Sequence, residues 1–197
     1  MSIFRIIRGI GLLFSVLLLA NCGVAPEKRG VFAEADIAAL RAQILALGPE
    51  VDAEEADRAA RIAFSHTRDL AIAYQITDAP LVHNTKVNMG LKPRGLCWHW
   101  AEDMEARLDA EGFETLDMHR AIANADNSFR IDHSTAIISR KGDRFQQGIV
   151  LDPWRLGGIL TFVPTLEDPD YQWEAQSVVH ARKRVELLRA SGATSGL

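Results

Sequence analysis

Apolar residues recur three and four apart in the first half of the chain and give way to short extended runs in the second. Residues 33–47 place Ile37, Leu40, Ile44 and Leu47 on one face, the spacing of an amphipathic helix, and Gly48-Pro49 ends it. Asp52 with Glu55 has the capping-box pattern and opens a longer helix reaching about Ile76. Its repeated alanines predict close packing, and Asp78-Ala79-Pro80 stops it. Residues 81–94 have no strong period, hold Asn84, Asn88, Gly90 and Pro93, and are expected to form a loop. A third helix is predicted from Leu96 to a terminating Gly112. Cys97, Trp100 or Ala101, Met104 and Leu108 share one of its faces.

Strands are predicted beyond this helix, first over residues 115–122, then 133–139 and 145–151, with a turn at Asp126-Asn127-Ser128. Residues 174–190 form a closing helix with Val178, Ala181, Val185 and Leu188 expected inward, and the tail 191–197 is expected to be disordered. Helices first and a sheet later define an α+β class, with residues 33–190 as one domain. Gly142-Asp143 suits a two-residue hairpin loop, with Lys141 opposite Arg144. That register sets His133 directly opposite Asp152, on one face of the pair. Asp132 adjoins His133 but would project from the other face, so Asp152 is the expected orienter of the imidazole.

The N-terminus adds a location. Arg5 and Arg8 precede an uncharged, mostly apolar run over residues 9–20, the layout of an export signal and short for a membrane span. Its end, Leu-Ala-Asn-Cys, resembles the lipobox of bacterial lipoproteins, although Asn21 replaces the usual small residue. The resemblance implies a signal over residues 1–21 and lipidation of Cys22. It further implies a tether over residues 22–32 and attachment to the periplasmic face of the outer membrane, since Gly23 is not the retention aspartate. Removal of the signal leaves one domain's length of chain with a sizeable core. The net charge of −4 gives no basic footprint for nucleic acid. With Cys22 lipidated, Cys97 is a lone thiol in an oxidising compartment, and is either inert or used.

Cys97 opens a helix, where the positive end of the dipole favours a thiolate. A cysteine nucleophile needs a base, and the base an orienting group. Cys97, His133 and Asp152 supply the three in chain order. Gly95-Leu96-Cys97-Trp98 opening a helix, Asp132-His133-Ser134 opening a strand and Leu151-Asp152-Pro153-Trp154 closing the next resemble the transglutaminase-like branch of the papain-like cysteine enzymes. The resemblance implies thiolate attack on an amide carbonyl and an acyl-enzyme released to water or an amine. It makes Cys97 the nucleophile, His133 the general base and acid, and Asp152 its orienter, with no cofactor. Substrates would be proteins, peptides or the cell-wall peptide.

This group often uses an upstream tryptophan in its oxyanion hole, and none precedes Cys97 here. The Cys97 N–H serves as one donor, and Asn84 or Asn88 is the candidate for a second. Trp98 and Trp154 either wall the cleft or pack. A catalytically silent binding lipoprotein on the same scaffold is the alternative. Metal binding through Cys97, His99 and His119 is a third reading, lacking any HExxH or paired CxxC spacing. Asp126 and Asn127 suggest a calcium loop, without its full ligand spacing.

Overall fold

A computed structural model describes residues 32–194. The signal, Cys22 and residues 22–31 of the tether lie outside the described residues. Among the described residues five α-helices and five strands follow one another as α1 (Glu34–Leu45), α2 (Ala53–Ala73), α3 (Pro80–Asn88), α4 (Cys97–Asp109), β1 (Leu116–Ala123), β2 (His133–Arg140), β3 (Ile149–Asp152), β4 (Thr161–Pro164), β5 (Glu174–Ala175) and α5 (Gln176–Thr194). The strands form one antiparallel sheet in the order β4-β3-β2-β1-β5. This is the α+β class expected. Among the described residues no helix is long and apolar enough to cross a membrane.

The alanines of α2 set the helix layer. Ala56, Ala59, Ala60 and Ala63 face Ile37, Leu40 and Ile44 of α1, and small side chains let the two helices approach closely. The same core takes in Met104 and Leu108 of α4 and Ala136, Ile138, Ile149 and Leu151 of the sheet. Each fully buried leucine or isoleucine contributes about 1.5–3 kcal/mol. On the other face of the sheet Ala121, Ile137 and Val150 pack with Phe145 and Trp173. β2 is thus covered on both sides, and every residue from His133 to Ser139 is buried.

Several expectations are corrected. Residues 81–94 are not all loop: Pro80, read as a stop, also starts α3. Its fixed φ and missing N–H suit the first helical position. The hairpin pairs Ile138 with Ile149, Ile137 with Val150 and Ala136 with Leu151, two residues away from the expected register. The connection is longer than a two-residue turn, because Phe145–Gln147 forms a 3-10 turn in place of the start of a strand. Gly148 then lies against the Ile138 carbonyl, where a Cβ would come within 2.5 Å of the oxygen. A shift of two keeps each side chain on its original face, so His133 and Asp152 still share one.

The inward face expected of the closing helix is also wrong. Val178, Val185 and Leu188 are exposed, as is Ala181, and Val179 is the residue buried. The first turns of α5 meet the body, where Arg182 pairs with Glu174 and Lys183 with Asp132. The helix also runs on to Thr194, into the segment expected to be a disordered tail. Phe32, assigned to the tether, instead packs its ring 5.3 Å from that of Phe64. Asp52 caps α2 through the Glu54 and Glu55 N–H groups. Glu55 does not reach back to complete the box; it accepts from Glu114 N–H and Thr115 N–H and fastens the approach to β1.

Candidate active site

Cys97 is the first residue of α4, with Leu96 as N-cap. The first-turn N–H groups of a helix have no intrahelical acceptor, so the backbone N–H of Cys97 takes no part in the helix ladder. Cys97 is 7% exposed, and its thiol donates to the Asp132 carbonyl at 3.6 Å. His133 opens β2 immediately afterwards. The start of a helix and the start of a strand thereby meet at one point.

His133 Nε2 and Asp152 Oδ2 are 2.6 Å apart and both residues are 1% exposed. β3 pairs Leu151 with Ala136, so continuing the ladder sets Asp152 beside Thr135, and His133 reaches it diagonally. Nδ1, the other ring nitrogen, is buried and makes no hydrogen bond, while the Cys97 thiol lies close enough to bear on the charge of the ring. Burial by itself disfavours an imidazolium here. The charge and hydrogen bond of Asp152, followed by the nearby Cys97 sulfur, outweigh burial and raise the His133 pKa to about 9.

A buried carboxylate needs more than one donor, and Asp152 has four. Besides His133, its oxygens accept from the Trp154 N–H at 3.1 Å, the Arg155 N–H at 3.2 Å and Arg155 Nε at 3.1 Å. Burial would raise its pKa, but His133 and then Arg155 hold it below the ordinary aspartate value. Arg155 continues as a fork onto Asp168, with bonds of 3.0 and 2.7 Å. Asp168 also accepts from Trp173 Nε1 at 2.9 Å.

Aromatic rings enclose the imidazole. Tyr171, Trp154 and Trp173 have centroids 4.5, 4.7 and 5.4 Å from it. The Arg155 guanidinium lies over the Tyr171 ring at 4.7 Å. Sequence reading missed Arg155, Asp168, Tyr171 and Trp173. A signal did exist for the first: an aspartate placed in a core strand has to find cationic partners, and Arg155 is three residues away.

The other predicted residues divide. Trp154 packs on His133 and donates its Nε1–H to Asn84 Oδ1 at 3.0 Å, so the α3 asparagine is joined to the site through the tryptophan. Asn88, at the end of α3, is exposed. Trp98 is 45% exposed and walls a cleft of about 430 Å³. Cys97, Arg120, Ser134, Gln176 and His180 also line that cleft, so α5 forms the wall facing α4.

The metal reading finds its residues otherwise engaged. His99 Nδ1 accepts from backbone N–H groups ahead of Cys97, and His119 Nε2 bonds Ser139 Oγ at 2.8 Å. Among the described residues no three His, Cys, Asp or Glu side chains gather into a metal-binding group. Asn127 Oδ1 accepts from Phe129 N–H within its own loop, beside a hollow of about 900 Å³ that Tyr171 and Trp173 border.

The arrangement provides a thiol at a helix start, an imidazole held by a buried carboxylate, and an open cleft reaching the sulfur. Comparison with protein-family models, with curated protein sequences and with solved structures gives no match for this chain.

Proposed function

We propose that this protein is a cysteine amide hydrolase or acyltransferase of the transglutaminase-like, papain-like kind. It would work in the bacterial cell envelope as a lipoprotein anchored through Cys22. The observation that carries the reading is the 2.6 Å bond between His133 Nε2 and Asp152 Oδ2 beside Cys97 at the start of α4. The two imidazole nitrogens are thereby distinguished. Nε2 is committed to the carboxylate, and Nδ1 is left for the thiol.

The chemistry follows in two halves. The Cys97 thiolate attacks the amide carbonyl carbon, and the oxygen takes up the negative charge within reach of the Cys97 N–H. The His133 imidazolium, stabilised by Asp152, gives its proton to the departing amine as the C–N bond breaks, leaving a thioester on Cys97. Water or a second amine then gives a proton to His133 and attacks the thioester, and Cys97 leaves as thiolate. The cleft between α4 and α5 is open to solvent, which favours water. A protein, a peptide or the cell-wall peptide is the expected substrate class.

A silent binding lipoprotein is the second reading. It draws on the low exposure of Cys97 and its hydrogen bond to Asp132. The alkylation rate of Cys97 by iodoacetamide, followed by mass mapping in the full chain, separates the two. Under the enzyme reading His133→Ala slows modification at pH 7 by about a hundredfold, and Asp152→Asn slows it less. A rate that neither substitution changes sinks the enzyme reading and puts the binding lipoprotein first.

A further inference from the structure

The turn ahead of Cys97 is gripped by two histidines that the triad does not use. His83, on α3 and 1% exposed, has Nε2 at 2.8 Å from the Arg94 carbonyl. A carbonyl only accepts, so Nε2 carries the proton, and Nδ1, buried without a partner, is bare. His99 takes the opposite part. Its Nδ1 accepts from the Gly95 N–H at 3.1 Å and the Leu96 N–H at 3.2 Å, so that nitrogen is unprotonated.

Glycine completes the grip. Gly95 has φ +121°, and a Cβ there would lie 2.4 Å from His83 Nε2. Only glycine lets the backbone pass this close to the ring. Trp100 Nε1 donates to the Gly95 carbonyl at 3.1 Å, and the Leu96 carbonyl begins the helix by accepting from His99 N–H at 2.9 Å. The carbonyls of three consecutive residues and the N–H groups of two are therefore engaged, and Cys97 comes next.

We infer that His83 and His99 are positioning residues which, as neutral imidazoles, fix the Arg94–Leu96 turn and so the direction of the Cys97 thiol. Its catalytic consequence rests on reading Cys97 as the nucleophile. The choice of side chain has a physical reason. A glutamate in the place of His99, three residues past the N-cap, could accept the same N–H groups, but its charge would oppose a thiolate two residues away. A neutral acceptor leaves the positive end of the helix to the sulfur.

Both rings resist charging. Burial is the main cause for His83, opposed by the Arg94 carbonyl; Lys92 and Lys86 add to it and Asp78 works against it. Burial again comes first for His99, reinforced by Arg94 and opposed by Asp103 and Glu102. The Trp98 and Tyr74 rings flank His99 at 3.8 and 6.4 Å. Unfolded chain takes up these protons near pH 6.5 and the folded chain only at lower pH. The clamp is therefore whole above that value and is lost as pH falls. A proton on His99 Nδ1 would face two N–H donors in place of accepting from them.

The test uses the full chain, iodoacetamide as the probe of Cys97, and hydrogen exchange at the Gly95 and Leu96 amides. His99→Leu is expected to speed exchange at both amides and slow alkylation, each by about tenfold. His99→Asn keeps an acceptor near the Nδ1 position and should bring both back to within about threefold of the parent. His83→Leu should slow alkylation, and His83→Gln, with a donor at the reach of Nε2, should recover it. Amide protection and alkylation should fall together as pH drops below the ordinary histidine value of about 6.5, and His99→Asn should abolish that acid limb. Unchanged exchange in His99→Leu, or Asn and Leu variants that behave alike, overturns the inference. Fast alkylation that depends on His133 but ignores His99→Leu overturns it too, leaving the nucleophile reading intact. Slow alkylation indifferent to His133, with amide protection still following the acceptor at residue 99, keeps the clamp and removes the nucleophile.

Discussion

The two ends of the site are held by different physics. On the sheet, His133 is fixed by charge: a buried carboxylate, a guanidinium behind it and three aromatic rings around it. On the helix, Cys97 is preceded by a turn held by neutral hydrogen bonds and by the absence of a side chain at Gly95. The charged end resists displacement because each member lost leaves an uncompensated ion in the core. The neutral end depends on shape. The sheet end should therefore fail through rising pH and charge removal, and the helix end through acid and steric change.

The largest effect is expected at the charged end. Asp152→Ala leaves His133 and Arg155 without their shared carboxylate and should cost about 3–5 kcal/mol of stability, measured by urea denaturation. A loss under about 1 kcal/mol would mean that solvent reaches the pair, and the contrast between the ends would collapse. Gly95→Ala tests the other end. Its positive φ and the clash with His83 should cost about 1–3 kcal/mol, slowing Cys97 alkylation while the chemical shifts of the His133 ring stay unchanged. Movement of both would show that the ends are not independent.

A pH series sharpens the same contrast. Folding raises the His133 pKa from its ordinary 6.5 to about 9. Its stabilisation is thus complete below pH 6.5 and is lost as pH rises through 9. The melting temperature should fall across that window in the parent chain and stay flatter in His133→Gln; parallel curves would contradict the assignment. Amide hydrolysis should decline over the same rise, since the leaving amine needs the imidazolium proton. The smallest effect belongs to Lys183→Ala, which removes a half-exposed ion pair between α5 and Asp132. It should change stability by less than about 1 kcal/mol, and a larger loss would mean that α5 holds the sheet end in place.

Much of this contrast is legible in the chain. Cys97 can be placed by helical spacing, and His133 with Asp152 by the parity of strand positions. Parity survives a register error of two, which is why the pair is right although the turn is not. Legibility stops where partners come from distant segments. Arg155 and Asp168 meet thirteen residues apart, with β4 lying between them. Tyr171 and Trp173 leave no trace in sequence of the ring they approach. α3 was hidden because its start signal, Pro80, is also a stop signal for α2. The exposed valines and leucines of α5 have helical spacing, but that spacing does not say which face meets the sheet, and Val179 is the one buried.

Arg155 binds Asp152 with one side of its guanidinium group and Asp168 with the other, and Asp168 in turn holds Trp173. This chain of bonds has a consequence for the order in which the molecule is made. Synthesis delivers the N-terminus first. Cys97 and His133 therefore emerge well before residues 168–173, which close around the imidazole. A nascent chain therefore carries the thiol, the ring and the carboxylate that charges the ring before it carries the aromatic side chains that enclose them, so the shelter of the imidazole arrives only with residues 168–173.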